Sequence, residues 1–590
     1  MISSPESFYN DQLLAYQKRL SKILSHLKIS SGLRLTWFIG VLGIGYFIYP
    51  SVQGIIILLL IGLIGFLYLV TRHNSLNYKK GKCQKILQIN KAELSIGKGE
   101  FDQMDAGTEF IDPKHEFSND VDIFGKHSFF QYINRTQLLE SKQYLATLLT
   151  ENTIDQIDKK QQAIKELAGR PDWRQNYSAI AALLRTEIKV DTVINWIKTH
   201  RSFLPKQMLY YGQLFTVLSL IILVLYFFEI INSTLLITWF FVGLGITGLF
   251  LKKINNLYNQ AGTSKDVFKQ YYQLVEFIEK AEFKSSLLKD QQDLLLQKKQ
   301  KASQILKRFF NILDAFDQRN NMIYGVFGNA FLLWDLMQVA RIDNWMYTYK
   351  EEVKQWFEVV TFFDAYNSLG NFTFNHPKFV FPTITQQKCI SKTKNLGHPM
   401  LFSKKRVDND FCINREEFFI ITGANMAGKS TFLRTVALQI IMSNVGLPIC
   451  ASSCSYHPVK LITSMRTSDS LSEESSYFFS ELTQLKRIVD ALETENYFII
   501  LDEILKGTNS KDKAEGSKKF VEKLVQLRAT GIIATHDLSL CEIANDIDVV
   551  KNKYFDAQIK DGELYFDYRF KEGICKNMNA SFLLHKMGIV

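Results

Sequence analysis

What the sequence lacks limits it first. No apolar region opens the chain: "MISSPESFYNDQLLAYQKRL" is polar and helical before any greasy run starts, so no cleaved secretory signal is expected. Paired cysteines are missing too. The seven cysteines (83, 389, 412, 450, 454, 541 and 575) are odd in number and without C-x-x-C spacing. That excludes a zinc ribbon or a dithiol redox motif and puts the bulk of the chain in a reducing compartment. Cys450 and Cys454 are near enough to share a metal, but small buried or surface thiols are the plainer reading. The run Val52 to Val70 lacks any charge and has one amide, Gln53. It shows no polar stripe at the 3.6-residue period that a core helix of a soluble protein carries.

What is present is divided. The 590 residues give a prior of about four domains at about 150 residues each, and 47% hydrophobic with 22% charged residues average over greasy runs and highly charged helices. Four apolar segments, Leu33 to Tyr49, Val52 to Thr71, Gln207 to Phe228 and Ser233 to Leu251, each approach the ~20 residues a helix needs to cross hydrocarbon. The short turns "YPS" and "EIINS" pair them into two hairpins. Their feet are basic ("KRLSKILSHLK", "TRHNSLNYKKGKCQK", "THRSFLPKQ", "LKKINN") while the turns hold no lysine or arginine. The positive-inside bias therefore expects four spans, with every large segment in the cytoplasm of a bacterial inner membrane. Glu229 sits near the tip of the second hairpin, where a carboxylate is simply solvated. A fifth run, Met322 to Ala340, carries Asn329, Asp335 and Gln338. It is read as a buried soluble helix, because an odd number of spans would strand the C-terminal part of the chain outside.

The net charge of +11 suits nucleic acid, anionic lipid or topological signals. "TIDQIDKKQQAIKELAG" and "SSLLKDQQDLLLQKKQKASQILKRFFNIL" show helical spacing with interspersed charge and read as long levers or coiled pairs. No aromatics interleave the lysines of "QKKQKASQILKR", which favours a solvated face over a nucleic-acid patch.

Specific chemistry begins at Phe418. Gly423, Gly428, Lys429 and Ser430 fit G-x-x-x-x-G-K-[ST], after the apolar strand "FFIIT" and before the helix "TFLRTVALQII". Glycines let backbone N–H groups wrap phosphates, Lys429 brings charge to the β and γ groups, and the Ser430 hydroxyl suits Mg2+. A second strand, "YFIILDEI", ends in Asp502, expected to hold magnesium, and Glu503, expected to orient or deprotonate the attacking water. A third, "GIIATHD", ends at His536, suited to the γ-phosphate. Three strand-end sites in order point to ATP hydrolysis.

At these residues the sequence resembles the MutS mismatch-repair ATPases, a branch of the ABC class. The family's G-P-N-M-x-G-K-S-T is "GANMAGKST" here, its "LLDEIGRGT" is "ILDEILKGT", its "ATHxxxL" is "ATHDLSL", and its "SDDL" with "SxFMxEM" corresponds to "SDSLSEESSYFFSEL". The resemblance implies that the loop of Gly423, Ala424, Asn425, Met426, Ala427, Gly428, Lys429, Ser430 and Thr431 holds ATP. It also implies that Asn425 belongs to the nucleotide pocket and that Ser476 reaches the nucleotide of the other subunit in a dimer. Upstream it covers Val121 to Glu187 and then Asp266 to Val590, with "DIFGKHSFFQYINRTQLLESKQYLATLL" similar to the start of the family's helical core and "LGHPML" to the start of its ATPase domain. The expected fold is an α/β P-loop ATPase domain at the C-terminus, preceded by an all-α lever core with two transmembrane hairpins. The expected boundaries are an N-terminal helix at 1–32, hairpins at 33–71 and 207–251, helical core at 72–206 and 252–390, and the ATPase domain at 391–590.

The departures from the family pattern also matter. No room precedes Asp120 for mismatch-reading and connector domains, the second hairpin interrupts the levers about where a DNA-clamp insertion would lie, and the chain stops near where dimerisation helices would begin. Small residues such as Gly40, Gly43, Gly62 and Gly65 offer replacement adhesion between subunits. Ala424 replaces the loop proline, Lys513 the glycine after Asp512, and Arg406 an adenine-stacking aromatic. The leading expectation is a membrane-anchored, homodimeric ATPase that couples ATP binding and hydrolysis to conformational change and acts on DNA in mismatch repair. The alternatives are an ABC-type transporter half, against which stand the missing L-S-G-G-Q and the tight hairpins, and a membrane remodelling or signalling ATPase without DNA. A basic surface suits the phosphates of DNA and lipid alike.

Overall fold

The computed structural model describes residues 4–183, 188–296, 300–424, 426–465, 477–560 and 563–575. The chain forms two compact units, one of Met1–Lys98, Thr136–Lys142 and Pro171–Ala365, the other of Gly99–Arg135, Gln143–Arg170 and Tyr366–Val590. Most of residues 99–170 thus lie in the same unit as residues 366–590.

The first unit is helical. Helices α1 (Pro5–Ile48) and α2 (Val52–Gly97) form an antiparallel hairpin, and each runs far beyond its apolar run into polar sequence. Ser4 caps α1, its hydroxyl accepting from the Ser7 amide, with Pro5 set at the helix start. The Trp37 indole N–H donates to the Gly62 carbonyl at 2.9 Å. A Cβ on Gly65 would sit 2.2 Å from the Trp37 ring, and one on Gly62 3.0 Å from Val41. Gly62 and Gly65 therefore serve packing within this hairpin, while a Cβ on Gly40 or Gly43 meets nothing within 4 Å.

The second hairpin pairs α3 (Met208–Phe227) with α4 (Ser233–Gly248). Phe215 stacks on Trp239 at 4.7 Å, and the Trp239 N–H donates to the Ser219 hydroxyl at 2.8 Å. α4 ends before Leu251, and the chain turns by 63° into α5 (Leu251–Glu279). The expected single lever beyond it is broken. A short helix, Ser286–Asp293, precedes α6 (Ala302–Asp317). The Gln292 amide donates to the carbonyls of Ile278 and Ala281, and the Glu279 carboxylate takes the Ser303 amide at the start of α6 at 3.0 Å. Polar periodicity does not reveal such a break, because the side chains that cause it are ordinary helix formers.

The fifth apolar run is not the buried helix expected. A π-helical turn, Ile323–Gly328, leads into α7 (Asn329–Leu332), and an 82° bend at Leu333, whose φ is 47°, separates it from α8 (Trp334–Tyr349). The Asn329 side chain serves the backbone at the break, donating to the Gly325 carbonyl at 3.0 Å and accepting from the Asp335 amide at 2.9 Å. α8 is buried, with Trp345 stacked on Phe309 at 3.8 Å.

The second unit holds a six-stranded sheet of β1 (Phe418–Gly423), β2 (Lys460–Ser464), β3 (Tyr497–Asp502), β4 (Thr530–Ala534), β5 (Val550–Lys560) and β6 (Glu563–Glu572), in the order β6-β5-β1-β4-β3-β2 and parallel except for β6. β1 is buried throughout, as a central strand of a sheet covered on both faces should be. The edge strand β2 is occupied by upstream chain. Asn152 exchanges two hydrogen bonds with Leu461, and Asp120 accepts from the Thr463 hydroxyl at 2.6 Å and the Met465 amide at 2.9 Å. This removes an exposed edge that would invite pairing with another chain.

In the first unit, helix α9 (Glu352–Asn375) buries Asp364, whose carboxylate accepts from the amides of Gln137 and Leu138 at 2.8 and 3.1 Å. Burial pushes its pKa up to about 6. The folded value lies above the unfolded one, so stability is lost as pH rises from 3.8 through about 6. Asp364→Asn keeps an accepting oxygen and cannot ionise. It should gain about 2 kcal/mol over the parent at pH 8 and lose that advantage near pH 4. Thermal unfolding at the two pH values checks this, and an equal difference at both would mean that the carboxyl does not titrate with folding.

Candidate nucleotide site

Strand register builds the site. Ile421 of β1 pairs with Ala534 of β4, which pairs with Asp502 of β3, so the carboxyl ends of three strands finish level. The backbone continues the alignment past the sheet: the Glu503 amide donates to the Ala534 carbonyl and the Thr535 amide to that of Ile421, each at 2.9 Å. Ligands of open parallel sheets bind at this edge.

Between β1 and α10 (Lys429–Val445) the chain turns through Gly423, Ala424, Met426, Ala427 and Gly428. Gly423 has a φ of 153° and Gly428 of 101°. A Cβ on Gly423 would lie 2.7 Å from the Phe555 carbonyl oxygen, so this turn needs glycine on two counts. Lys429 is buried, its Nζ donating to the carbonyls of Gly423 and Ala424 at 2.7 and 3.1 Å and lying 3.3 Å from His536 Nε2. Burial holds its pKa below the usual lysine range, countered by Asp502 and Glu503.

The Ser430 hydroxyl donates to Asp502 at 2.7 Å. Glu503 lies 2.9 Å from His536 Nε2 and 3.8 Å from Lys506 Nζ. The two neighbouring acids are driven apart: burial raises Asp502, whereas the His536 hydrogen bond, ahead of burial and the nearby charges, lowers Glu503 to about 2. Glu503 is thus an ionised carboxylate that can accept hydrogen bonds from a water and orient it. Thr431 lines the same pocket, while Asn425 and Ser476 lie outside the described residues.

Two residues escaped the sequence reading. Tyr568 sits in a bulge of β6, where pairing shifts between Phe566 and Phe570 and its φ is 52°. The Asn409 side chain donates to the Tyr568 carbonyl at 3.0 Å and accepts from the Phe570 amide at 2.9 Å. The ring lies 3.0 Å from where a Cβ on Gly428 would be, over a floor where Phe432 stacks on Phe570 at 4.5 Å. Tyr568 is an aromatic that lines the pocket, while Arg406 pairs with Asp408. Glu481 is buried and accepts from the amides of Leu505 at 2.5 Å and Lys506 at 3.0 Å, fixing the turn after Glu503, where Glu503 and Leu505 have φ of 50° and 59°. Its place at the glutamate of the "SxFMxEM" correspondence was the available signal.

Together these residues line a pocket of about 460 Å³ that includes His398, Arg406, Lys429, Glu503, His536 and Tyr568. The site fits Mg·ATP: a turn that needs glycine at Gly423, a buried ammonium, and a hydroxyl beside a carboxylate, the hard oxygen pair that magnesium prefers. Among the described residues no cluster of three or more histidine, cysteine or acidic side chains could hold another metal. Cys450 and Cys454 are buried thiols, raised to about 11 by burial.

Fold and site define a P-loop nucleotide-binding domain. Residues 419–585 match the family profile of MutS domain V. Over 194 residues, 32% of this chain and 22% of the relative, the sequence is 36% identical to the DNA mismatch repair protein MutS of Persephonella marina. It is 30% identical to MutS protein homolog 4 of Homo sapiens over 212 residues, 34% and 22% of the two chains. It is 27% identical to the DNA mismatch repair protein MutS of Staphylococcus epidermidis over 270 residues, 44% and 30% of the two chains. The chain thus spans about a fifth to a third of the length of these relatives. The likeness to the MutS family is carried by this C-terminal domain.

Glu481→Ala would leave two buried amides unpaired and free the turn that aims Glu503. ATP turnover should fall about tenfold or more while ATP affinity changes little, since no phosphate ligand is touched. Steady-state hydrolysis and nucleotide titration check this, and a loss confined to affinity would assign Glu481 elsewhere.

Proposed function

We propose that this chain hydrolyses ATP at the pocket above and uses the cycle to change shape. The alignment that sets Ser430 against Asp502 and Glu503 against His536 is the observation that carries this reading. The loop amides and Lys429 bind the β and γ phosphates, Ser430 and Asp502 hold Mg2+, and Tyr568 takes the adenine face. Bound magnesium would neutralise charge on the phosphate oxygens. Glu503, held ionised by His536, orients the attacking water and takes its proton, and His536 faces the γ-phosphate.

In this reading two copies close around two nucleotides, Ser476 of each reaching the other's ATP. The hairpins anchor the protein in a bacterial inner membrane with the ATPase domain in the cytoplasm. Supporting this, α1, α2 and α3 are long and apolar enough to cross a bilayer, and the most apolar windows of α1 and α2 are 0% and 6% buried. DNA as the cargo rests on the relatives' mismatch-repair role and the net charge of +11.

Lys429→Ala should abolish ATP binding, and Glu503→Gln should keep binding but cut turnover by about 100-fold or more, the scale of losing a general base. Near-normal turnover in the Glu503 variant would remove its assigned role. Mixing Lys429→Ala with Ser476→Ala chains should partly restore hydrolysis by leaving one intact site per mixed dimer; no gain despite subunit exchange would rule out the shared site.

Binding of duplex DNA by the detergent-solubilised protein should weaken linearly in log affinity against log salt. No salt-dependent binding would leave an ATPase that acts on the bilayer itself.

A further inference from the structure

The fifth apolar run is both exposed and attached. Between Arg319 and Asp335 no charged residue occurs, and the π-helical turn presents Met322 at 73% exposure, Ile323 at 65% and Phe327 at 49%. The same stretch packs on the second hairpin: Phe240 of α4 meets Phe327 at 6.0 Å and Phe331 at 5.9 Å. The backbones approach so closely that a Cβ on Gly243 would lie 2.1 Å from the Ala330 carbonyl oxygen. Its apolar surface continues that of α3, where Leu220 is 63% exposed.

We propose that Met322–Leu332 is a re-entrant half-helix, embedded among lipid acyl chains beside the second hairpin without crossing the bilayer. The inference rests on the membrane reading of that hairpin. Ile323–Leu332 reaches no more than about 15 Å, half of the roughly 30 Å of hydrocarbon. Hydropathy alone would allow α7 and α8 to make one bent span, but α8 carries Asp335, Arg341 and Asp343 and is engaged inside the helical unit. Trp345 donates to the Ile305 carbonyl at 3.1 Å and packs on Phe268 and Phe309. The chain therefore returns to the side from which it came, and the ATPase domain stays with the basic feet.

The break itself is built for a dry setting. Asn329 satisfies the opened backbone, and Arg319 pairs with Asp335 at 3.2 Å, both largely buried, as non-helical backbone at membrane depth requires. Tyr324 lies against Trp334 at 4.9 Å, and the Trp334 N–H donates to the Ala315 carbonyl at 3.0 Å. Both rings at the break thus have partners inside the protein.

The test uses the full chain in liposomes, with Cys389 and Cys412 replaced by serine and a bimane fluorophore on Ile323→Cys, Phe327→Cys, Leu220→Cys or Tyr347→Cys. Expected is loss of fluorescence to nitroxide-labelled lipid at 220, 323 and 327, and to aqueous iodide at Tyr347, which is 82% exposed on α8. Lipid quenching at 220 but not at 323 or 327 overturns the re-entrant segment and leaves the anchor standing. Lipid quenching at all four positions makes the segment a full span and overturns the inference as well. No lipid quenching anywhere overturns the membrane reading and the inference with it.

Discussion

A lysine ammonium buried at the end of a parallel sheet is the constraint on which the nucleotide site depends. Removing such a charge from water is costly unless partners take over its hydration. Lys429 finds them in the carbonyls of Gly423 and Ala424, which face inward because the loop passes through glycine conformations at Gly423 and Gly428. The same tight path brings α10 directly beneath, so that Ser430 meets Asp502. The acids reach this level because β1, β4 and β3 are in register at Ile421, Ala534 and Asp502. Shifting one strand by a residue would turn Asp502 to the other face of the sheet.

How much of this was legible depends on which interactions are local. Strand, glycine turn and helix are specified within Phe418 to Ile440, and the strand-end acids by short apolar runs that stop at charge, so sequence alone assigned Lys429, Ser430, Asp502, Glu503 and His536. The hairpins were legible because a run without charge has few other uses. Tyr568 was not, since a bulge in β6 is set by its bonding to Asn409, far away in sequence. Nor was the break at Leu333: the run Met322 to Ala340 has the composition of a helix, and only Asn329, reaching both ways, makes an interruption stable there.

The upstream segment is helical at Leu139–Thr150, Ile157–Ala168 and Pro171–Leu183, as its spacing suggests. The stretch just before these helices has its polar residues on the sheet. Asp120 closes the end of β2, its carbonyl accepts from Arg434 of α10 at 3.3 Å, and Asp122 pairs with the same arginine at 3.3 Å. One short stretch thus touches both the helix that follows the phosphate loop and the strand that leads to the signature segment. The Asp120 carboxylate accepts twice in buried bonds and the Arg434 contacts are part-buried, so the clasp ties β2 and α10 to a common support.

The two hairpins meet the same apolar requirement by different means. In the first, the glycines at 62 and 65 let Trp37 lie against α2 and donate to its backbone, so a small-residue face is used up inside the chain. Gly40 and Gly43 lie on open surface, beside the exposed Ile39 and Leu42. In the second hairpin the close approach is made not between α3 and α4 but between Gly243 and Ala330, which binds the fifth apolar run to the pair. Replacing Gly243 by a larger residue would push that run away, whereas the same change at Gly40 would be absorbed. The apolar ends of the first hairpin pack on each other, while the polar end of α2 joins the helical unit through Asn90, which exchanges hydrogen bonds with Gln175; the second hairpin is tied at its apolar end to the run that leads into α8.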